Sequence, residues 1–434
     1  MMRAVAAARE SETLASHRDA AHWRSAALDT YELTYRPESS TLIDLLVPLV
    51  TARARAGNIV GAREARRRAV ELAGSRGDDE RLLVALTSWN APVIWTLRVT
   101  PTIDDAIVRP LRTALDDEPD ARTRALLLIA LVYELEGVDD RGAADAALEA
   151  LSLSSTVDDD RVRCAALGAV GYLAYGPDLN DRRKPVADEL LAIAIEHRFD
   201  DYRVLAHFQL FLWNSSRLDI AGARTQLDNA LTVAGGGQLG ELVVVAAAYG
   251  ALCDVHAGRL DAAQSAYNAL AELITRSGNA AGPMFHLVGA ISCAAATGDF
   301  AALVPLLRDV TPERQAITRA VLASALFDAG DIPGARTAWA ESRPHPRDYY
   351  WLPMTTLRAL AAARLEDHRA CTELHHQLSA FSGQIAGFES GSLYAGPVDA
   401  ALAATADVLG NHSSAAKFRA SAQALMARFP AESS

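Results

Sequence analysis

Histidine and cysteine cluster once in the sequence, at His368, Cys371, His375 and His376. Positions 368, 371 and 375 share one face of a predicted helix, and imidazole and thiolate ligands suit zinc or copper. His412 of the next predicted hairpin could supply a fourth ligand. However, Arg369 and Gln377 lie in the same segment, which is typical of an ordinary exposed helix face. We therefore predict no metal site and no cofactor.

Other residues that could do chemistry fit simpler structural roles. The acidic run at 158–160 is predicted to begin a helix, where carboxylates interact favourably with the helix dipole, and the run at 116–118 is predicted to end one. Gly235-Gly236-Gly237 lies between two predicted helices and indicates a flexible link rather than a phosphate-binding loop. The sequence contains no nucleophile elbow, HExxH or Walker motif. We therefore predict that the chain is not an enzyme.

Aromatic residues with polar neighbours are the remaining functional signal. They lie on the predicted first helices of repeated hairpins, which line the inner wall in tetratricopeptide-like stacks. Such side chains form binding hot spots, but they also dominate burial in helix stacks, so core packing is the competing interpretation for each. The candidate binding residues are Trp89, Trp95, His207, Trp213, Tyr249, His286, Tyr350, Trp351 and Arg358.

A recurring turn predicts how these residues are positioned. In it a small residue and glycine are followed by a polar residue, an apolar residue and, further on, alanine. The clearest copies lie at 56–62, 257–263 and 329–335, and looser copies lie at 136–139, 216–220, 297–300, 365–368 and 409–412. The glycine suits the left-handed conformation that ends a helix, and aspartate or asparagine caps the next helix.

The spacing of these turns predicts the fold. A period of roughly 34 to 45 residues with two helices per unit is typical of an α-solenoid of the tetratricopeptide type. We predict an all-α, right-handed superhelix of about twenty helices, with further turns at 100–104 and 176–178. The predicted organisation is an N-terminal helical segment at 1–40, the solenoid at 41–430 with a subdivision near 235–240, and a tail at 431–434. Connectors 342–353 and 382–397 break the rhythm, and we interpret both as longer linkers covering exposed helix.

Composition narrows the classes of function. The 434 residues carry a formal net charge of -12, which disfavours direct binding to nucleic acid. The one basic cluster, Arg63 with Arg66 to Arg68, shares its helix with Glu64 and Glu71 and is interpreted as a solvated face. No apolar window reaches the roughly 18 residues of a membrane span, and the first residues do not resemble a signal peptide. We predict a cytoplasmic protein without membrane contact.

The four cysteines support the same compartment. Cys164, Cys253, Cys293 and Cys371 are far apart, and each lies in an apolar helical stretch. Neither a disulfide framework nor a CxxC metal motif has this spacing. We expect buried, reduced thiols, as in a cytosolic protein.

Four stretches carry a resemblance to a known family: 161–178 with 190–194, 202–224, 258–263 and 394–418. Together they are similar to the C-terminal tetratricopeptide-like region of large actinobacterial signal-transduction ATPase regulators of the LuxR or BTAD type. The resemblance implies a helical sensor that works with a nucleotide-hydrolysing switch and a DNA-binding or cyclase effector. Because the sequence has neither a GxxxxGK[ST] motif nor a recognisable helix-turn-helix, it implies the sensor or interaction module alone.

The sequence thus predicts a helical-repeat binding or scaffold module, the sensor or protein-interaction part of a bacterial transcriptional or signalling regulator. Its expected partner is a protein, a peptide or a small effector. The alternative is an enzyme or a small-ligand-binding protein whose site is assembled in the concave groove. A regulator that contacts DNA directly is disfavoured by the acidic charge. The oligomeric state stays undetermined.

Overall fold

The computed structural model describes residues 1–14, 16–94, 102–176, 179–235, 240–276, 282–310 and 312–427. Within these residues 22 α-helices make up nearly all of the regular structure. The prediction of an all-α helical-repeat fold with about twenty helices is therefore confirmed, while the right-handed superhelix stays a prediction.

The helices follow one another along the whole chain. The first twelve are α1 (Met2–Thr13), α2 (His17–Glu32), α3 (Ser39–Arg55), α4 (Ile59–Gly74), α5 (Asp79–Leu86), α6 (Asp105–Asp116), α7 (Ala121–Leu135), α8 (Asp140–Ser154), α9 (Asp160–Leu173), α10 (Arg183–Glu196), α11 (Asp200–Ser216) and α12 (Ile220–Ala234). The other ten are α13 (Gly240–His256), α14 (Leu260–Arg276), α15 (Gly282–Thr297), α16 (Val304–Arg308), α17 (Pro312–Asp328), α18 (Ile332–Ala340), α19 (Trp351–Arg364), α20 (His368–Leu378), α21 (Val398–Val408) and α22 (His412–Ala427). Neighbours in sequence pack together, as α3 with α4, α7 with α8 and α21 with α22 do.

The recurring glycine turns have the geometry that the sequence predicts. Gly57, Gly258, Gly298, Gly330 and Gly410 all have φ between +77° and +82°. After Gly330, the backbone N–H of Asp331 donates to the carbonyl of Leu326 at 2.8 Å, and Asp331 Oδ1 accepts from Gly334 N at 2.9 Å. The last turn of one helix and the first turn of the next are thus both satisfied locally.

The degenerate copies use the same geometry without glycine. Leu218 and Glu366 take the glycine position at φ +63° and +57°. Asp219 and Asp367 then cap α12 and α20 by accepting from the backbone N–H three residues later. Arg198, at φ +56°, makes a further turn of this kind that the sequence pattern did not reveal. The acidic runs also behave as predicted, since α6 ends at Asp116 and α9 begins at Asp160.

A reciprocal pair of substitutions tests the left-handed turn. Gly330→Glu is expected to lower the free energy of unfolding by about 1 kcal/mol, because an L-residue resists this conformation. An added Cβ at Gly330 meets nothing within 4 Å, so the cost is one of backbone conformation alone. Glu366→Gly should be neutral or stabilise by up to about 1 kcal/mol, since relief of strain opposes the greater freedom of glycine in the unfolded chain. Urea denaturation measures the free energy of unfolding of both variants. An equal loss of free energy in both would contradict the assignment of one turn geometry to both positions.

The chain divides into two compact units, each built from more than one stretch. Unit 1 comprises Met1–Leu173, Arg182–Leu210 and Gln226–Val243, and unit 2 comprises Ala174–Asp181, Phe211–Thr225 and Val244–Ser434. The predicted boundaries at 40 and 430 stay predictions, and the tail at 431–434 lies outside the described residues. No helix in the described ranges is both long and apolar enough to cross a bilayer. Cys164 and Cys371 are buried, Cys253 and Cys293 are half-buried, and all four thiols are unpaired.

Unit 2 has part of its own chain in its core. Residues 384–396, which we call the inner segment, are buried, although the sequence suggested a linker lying over exposed helix. The short strands β1 (Ile385–Ala386) and β2 (Gly396–Pro397) pair antiparallel at its two ends, Ile385 opposite Pro397 and Ala386 opposite Gly396. The linker interpretation of connector 382–397 is therefore wrong, because its apolar side chains are packed among helices.

Hydroxyl groups on three helices hold the backbone of the inner segment. Ser215 Oγ donates to the carbonyl of Phe388 at 2.6 Å, and the Tyr267 hydroxyl donates to the carbonyl of Ser392 at 2.5 Å. Ser292 Oγ accepts from the backbone N–H of Tyr394 at 3.0 Å. These bonds satisfy peptide groups that burial would otherwise leave without partners. The centre of unit 2 is thus filled by a segment of its own chain.

Candidate functional site

A cavity of about 370 Å³ lies within unit 1. Its walls come from the first helices of successive hairpins, α3, α5, α7, α9 and α11, from residues 87–90 after α5, from Asp159 before α9 and from one residue of α4. On α7, Leu126, Ile129, Ala130 and Tyr133 line it at helical spacing, and Val162 and Ala165 of α9 add to the apolar wall. The volume falls in the range of sites that bind small organic molecules.

Three aromatic residues of this largely apolar wall carry polar groups. Trp89 follows α5, and its Nε1–H is buried with no hydrogen-bond partner among the described residues. Tyr133 and Tyr202 reach the cavity from α7 and α11, and within the described ranges neither hydroxyl has a hydrogen bond. Burial raises the pKa of both phenols, so they stay protonated and able to donate. Buried donors without partners are costly unless a ligand or water satisfies them.

Arg66 brings a buried ion pair to the wall. Glu134, with a side chain only 2% exposed, accepts from Arg66 Nη1 at 3.1 Å and from Arg63 Nη2 at 2.8 Å. Arg66 Nη2 donates to the carbonyl of Leu86 at 2.6 Å. Burial lowers the pKa of Arg66, and Glu134 opposes that effect. The interpretation of the basic cluster as a solvated face is therefore wrong for Arg66 and Arg63, because α4 turns this edge toward α7.

A second ion cluster lies at the α9 and α11 side of the cavity. Asp201 Oδ2 accepts from Arg161 Nη2 at 2.5 Å and from Arg55 Nη2 at 3.2 Å. The Arg161 guanidinium carbon lies 5.2 Å from the centre of the Tyr202 ring and 4.8 Å from that of Phe199. Stacking on two rings fixes the plane of this guanidinium. Arg161 itself lines the cavity and is 34% exposed.

The third pair at the wall is Arg122 with Asp159, at 2.9 Å. Asp159 Oδ1 also accepts from the backbone N–H groups of Arg161 and Val162, which begin α9. Five arginines therefore share three carboxylates across the three clusters, an excess of two positive charges. This local excess contrasts with the net charge of -12 of the whole chain.

Of the three binding candidates that the sequence places before residue 211, one lines the cavity. Trp89 lines the cavity. Trp95 lies outside the described residues. His207 is buried with its Nδ1 2.7 Å from Gln226 Oε1, and it is not part of the cavity wall.

Two candidates of unit 2 are core residues. Tyr249 is buried against Phe211, with ring centres 4.8 Å apart, and also faces Phe388 of the inner segment. Trp351 is buried against Phe381, with ring centres 5.4 Å apart. Both side chains therefore contribute to the packing of unit 2, as the competing interpretation anticipated.

The remaining candidates of unit 2 have local partners. Trp213 is half-buried beneath the Arg217 guanidinium, and His286 is exposed with Nδ1 2.9 Å from Asn268. Tyr350 accepts from Ser392 of the inner segment at 3.2 Å. Arg358 stacks on Trp339 at 4.6 Å and donates to Ser342 at 2.7 Å. Of the described candidates, only Trp89 belongs to the cavity.

Sequence reasoning missed the other polar residues of the site. Leu126, Ile129, Ala130 and Tyr133 recur at helical spacing in the sequence, but periodicity does not reveal whether such a face meets a neighbour or a cavity. Arg161, Tyr202 and Arg66 gave no motif, since they come from three separate hairpins. An arginine on the apolar side of a first helix is the one signal that could have pointed to Arg161.

The cluster considered for metal binding has other contacts. Cys371 is buried, and His375 Nδ1 lies 2.9 Å from Thr405 Oγ1. In the described part of the chain, no three potential ligands are grouped as a metal ion requires.

Comparison with protein-family models gives no match, and comparison with curated proteins gives no significant match.

Proposed function

We propose that the chain is a helical-repeat binding module that holds a small molecule in the cavity of unit 1. One observation carries the proposal: two donors without a hydrogen bond among the described residues, the hydroxyls of Tyr133 and Tyr202, belong to the wall of a largely apolar cavity of about 370 Å³. A well-formed apolar pocket with a few polar groups is the usual form of a small-molecule site. A bound ligand would satisfy these donors.

The module is proposed to act as the sensor of a bacterial signalling or transcriptional regulator in the cytoplasm. Five first helices and α4 contribute to the cavity wall, so a ligand bound there contacts several hairpins at once. Binding then favours one arrangement of these hairpins, and a protein partner can respond to that arrangement. The resemblance to the helical region of ATPase regulators and the four unpaired thiols support this setting.

Filling the cavity tests the proposal. The probe is N-phenyl-1-naphthylamine, a neutral aromatic molecule whose fluorescence rises in apolar sites. We expect saturable binding to the wild type and at least about a tenfold weaker Kd for Ala165→Phe, because the new ring occupies the space of the ligand. Ala165 is half-buried at the cavity wall, so the added volume enters the cavity and not a closed core.

Ala192→Phe is the matched control, because Ala192 is an exposed alanine of α10 in the same unit and is not part of the wall. It should bind the probe like the wild type. Circular dichroism establishes that both variants are folded. Absence of saturable binding to the wild type, or equal binding by folded Ala165→Phe, would rule out the cavity as the ligand site.

A further inference from the structure

We infer that the cavity of unit 1 selects an anion: a carboxylate or sulfonate carried on an apolar body of two or three rings. This inference rests on the proposed function and narrows it to one class of ligand. Three features of the wall support it, namely the charge of the ion clusters, the free donors of Arg161 and the absence of a free carboxylate among the described residues of the wall.

The charges around the cavity are unbalanced in favour of cations. Glu134 is shared by two arginines, and so is Asp201, whereas Asp159 serves Arg122 alone as an ion-pair partner. Five arginines of these clusters therefore face three carboxylates, and three of the five, Arg66, Arg122 and Arg161, line the cavity, although the chain as a whole is acidic. Such a concentration of one sign of charge in an acidic protein would attract an anion and hold it against desolvation.

Arg161 has the geometry to bind the anionic group. Among the described residues only its Nη2 has a hydrogen bond, to Asp201, which leaves Nε and Nη1 as donors. Stacking between Phe199 and Tyr202 holds the guanidinium plane in place. The second N–H of Nη2, together with either Nε or Nη1, still forms a pair of parallel donors that suits bidentate binding of a carboxylate or sulfonate. Asp201 keeps Arg55 as a second partner, so a ligand does not isolate that carboxylate.

The one carboxylate of the wall does not favour a cationic ligand. This carboxylate, Asp159, already accepts from Arg122 and from two backbone N–H groups. A cationic ligand would therefore find no free carboxylate there. The apolar side chains of α7 and α9 fit the rings of the ligand.

A pair of probes separates charge from shape. 1-Anilinonaphthalene-8-sulfonate has the same ring skeleton as N-phenyl-1-naphthylamine but carries a sulfonate. Fluorescence titration of the full chain is expected to give a Kd at least about tenfold lower for the sulfonate, since a charge-assisted, bidentate hydrogen bond has about that effect. Arg161→Gln should remove this selectivity by weakening the sulfonate about tenfold while changing the neutral probe less than about twofold.

Arg163→Gln is the matched control, because Arg163 lies on the same helix in an ion pair with Glu189 and is not part of the cavity wall. It should keep the full selectivity. A second readout needs no variant: added NaCl should weaken binding of the sulfonate to the wild type and leave the neutral probe unaffected or tighter. The dependence on NaCl also tests whether the cavity selects an anion if Arg161→Gln does not fold.

The outcomes distinguish the two proposals. Equal affinities for both probes, insensitive to NaCl and lost together in Ala165→Phe, would overturn the anionic class and leave the cavity as a ligand site. Saturable binding of neither probe would overturn the proposed function itself. Selective binding of the sulfonate that persists in folded Arg161→Gln would show that Arg161 does not recognise the anion.

Discussion

Glu134→Gln is expected to lower the free energy of unfolding by about 3–5 kcal/mol, the usual cost of removing one partner from a buried ion pair. Glutamine keeps the shape of the side chain, so the loss comes from charge. Arg66 is 3% exposed and would keep its positive charge, because its guanidinium does not lose a proton at accessible pH. The carbonyl of Leu86 would still accept from Arg66 Nη2, but neither this carbonyl nor the glutamine amide carries the negative charge that Arg66 and Arg63 share in the native pair. Urea denaturation followed by circular dichroism measures the change.

Glu149→Gln gives the control. Glu149 pairs with Arg124 at 2.7 Å, but its side chain is 44% exposed, and exposed pairs contribute about 0–1 kcal/mol. The two variants remove the same charge from neighbouring helices and differ in burial. A loss below about 1 kcal/mol for Glu134→Gln would mean that water reaches Arg66 in solution, which would contradict the buried cluster.

The second large effect is expected in unit 2, for Gly387→Ala. Gly387 has φ +111°, and a Cβ placed there would lie 1.6 Å from the backbone carbonyl oxygen of Leu393. The carbonyl oxygen of Leu393 is a backbone atom of the buried inner segment, so it cannot move aside as a flexible side chain can. The inner segment must therefore rearrange, and we expect a loss of at least about 3 kcal/mol, in the upper range for single substitutions.

Gly383→Ala separates this clash from the conformational cost. Gly383 precedes the inner segment at φ +81°, and an added Cβ there meets nothing within 4 Å. It should cost about 1 kcal/mol, the cost of a left-handed alanine alone. Thermal unfolding and urea titration of both variants provide the comparison. Similar small losses for both would show that the inner segment is not packed as the structure has it.

The contrast between the units bears on where a ligand can bind. The centre of unit 2 is filled by the inner segment, whose backbone is bound by Ser215, Tyr267 and Ser292. Asp399 holds the residues just before the inner segment in place, because it accepts from Ser382 Oγ at 2.7 Å and from Ser421 Oγ at 2.5 Å. Tyr249 and Tyr350, which the sequence suggested as groove residues, therefore contact the inner segment. Unit 1 keeps a cavity with unsatisfied donors, and for that reason it is the proposed site.

The helices and their turns could be predicted from the sequence because both are set by neighbours along the chain. The Gly330 turn closes through bonds between residues at most five apart, Asp331 to Leu326 and Gly334 to Asp331. Glycine at positive φ and aspartate at the cap are therefore readable directly from the order of residues. Leu218 and Glu366 show that the rest of the motif is sufficient even where glycine is absent.

The cavity of unit 1 and the buried inner segment of unit 2 could not be predicted, because both are formed by contacts between residues that are far apart in the sequence. Ser215 meets Phe388 across 173 positions, and Arg66 meets Glu134 across 68. Periodicity marks which side of a helix is apolar, but it does not say what lies opposite that side. The same pattern therefore describes α7 next to a cavity and α13 next to the inner segment. Sequence alone determined the helices and the turns between them, whereas only tertiary packing decided which arginine is buried, which connector becomes core and where space for a ligand remains.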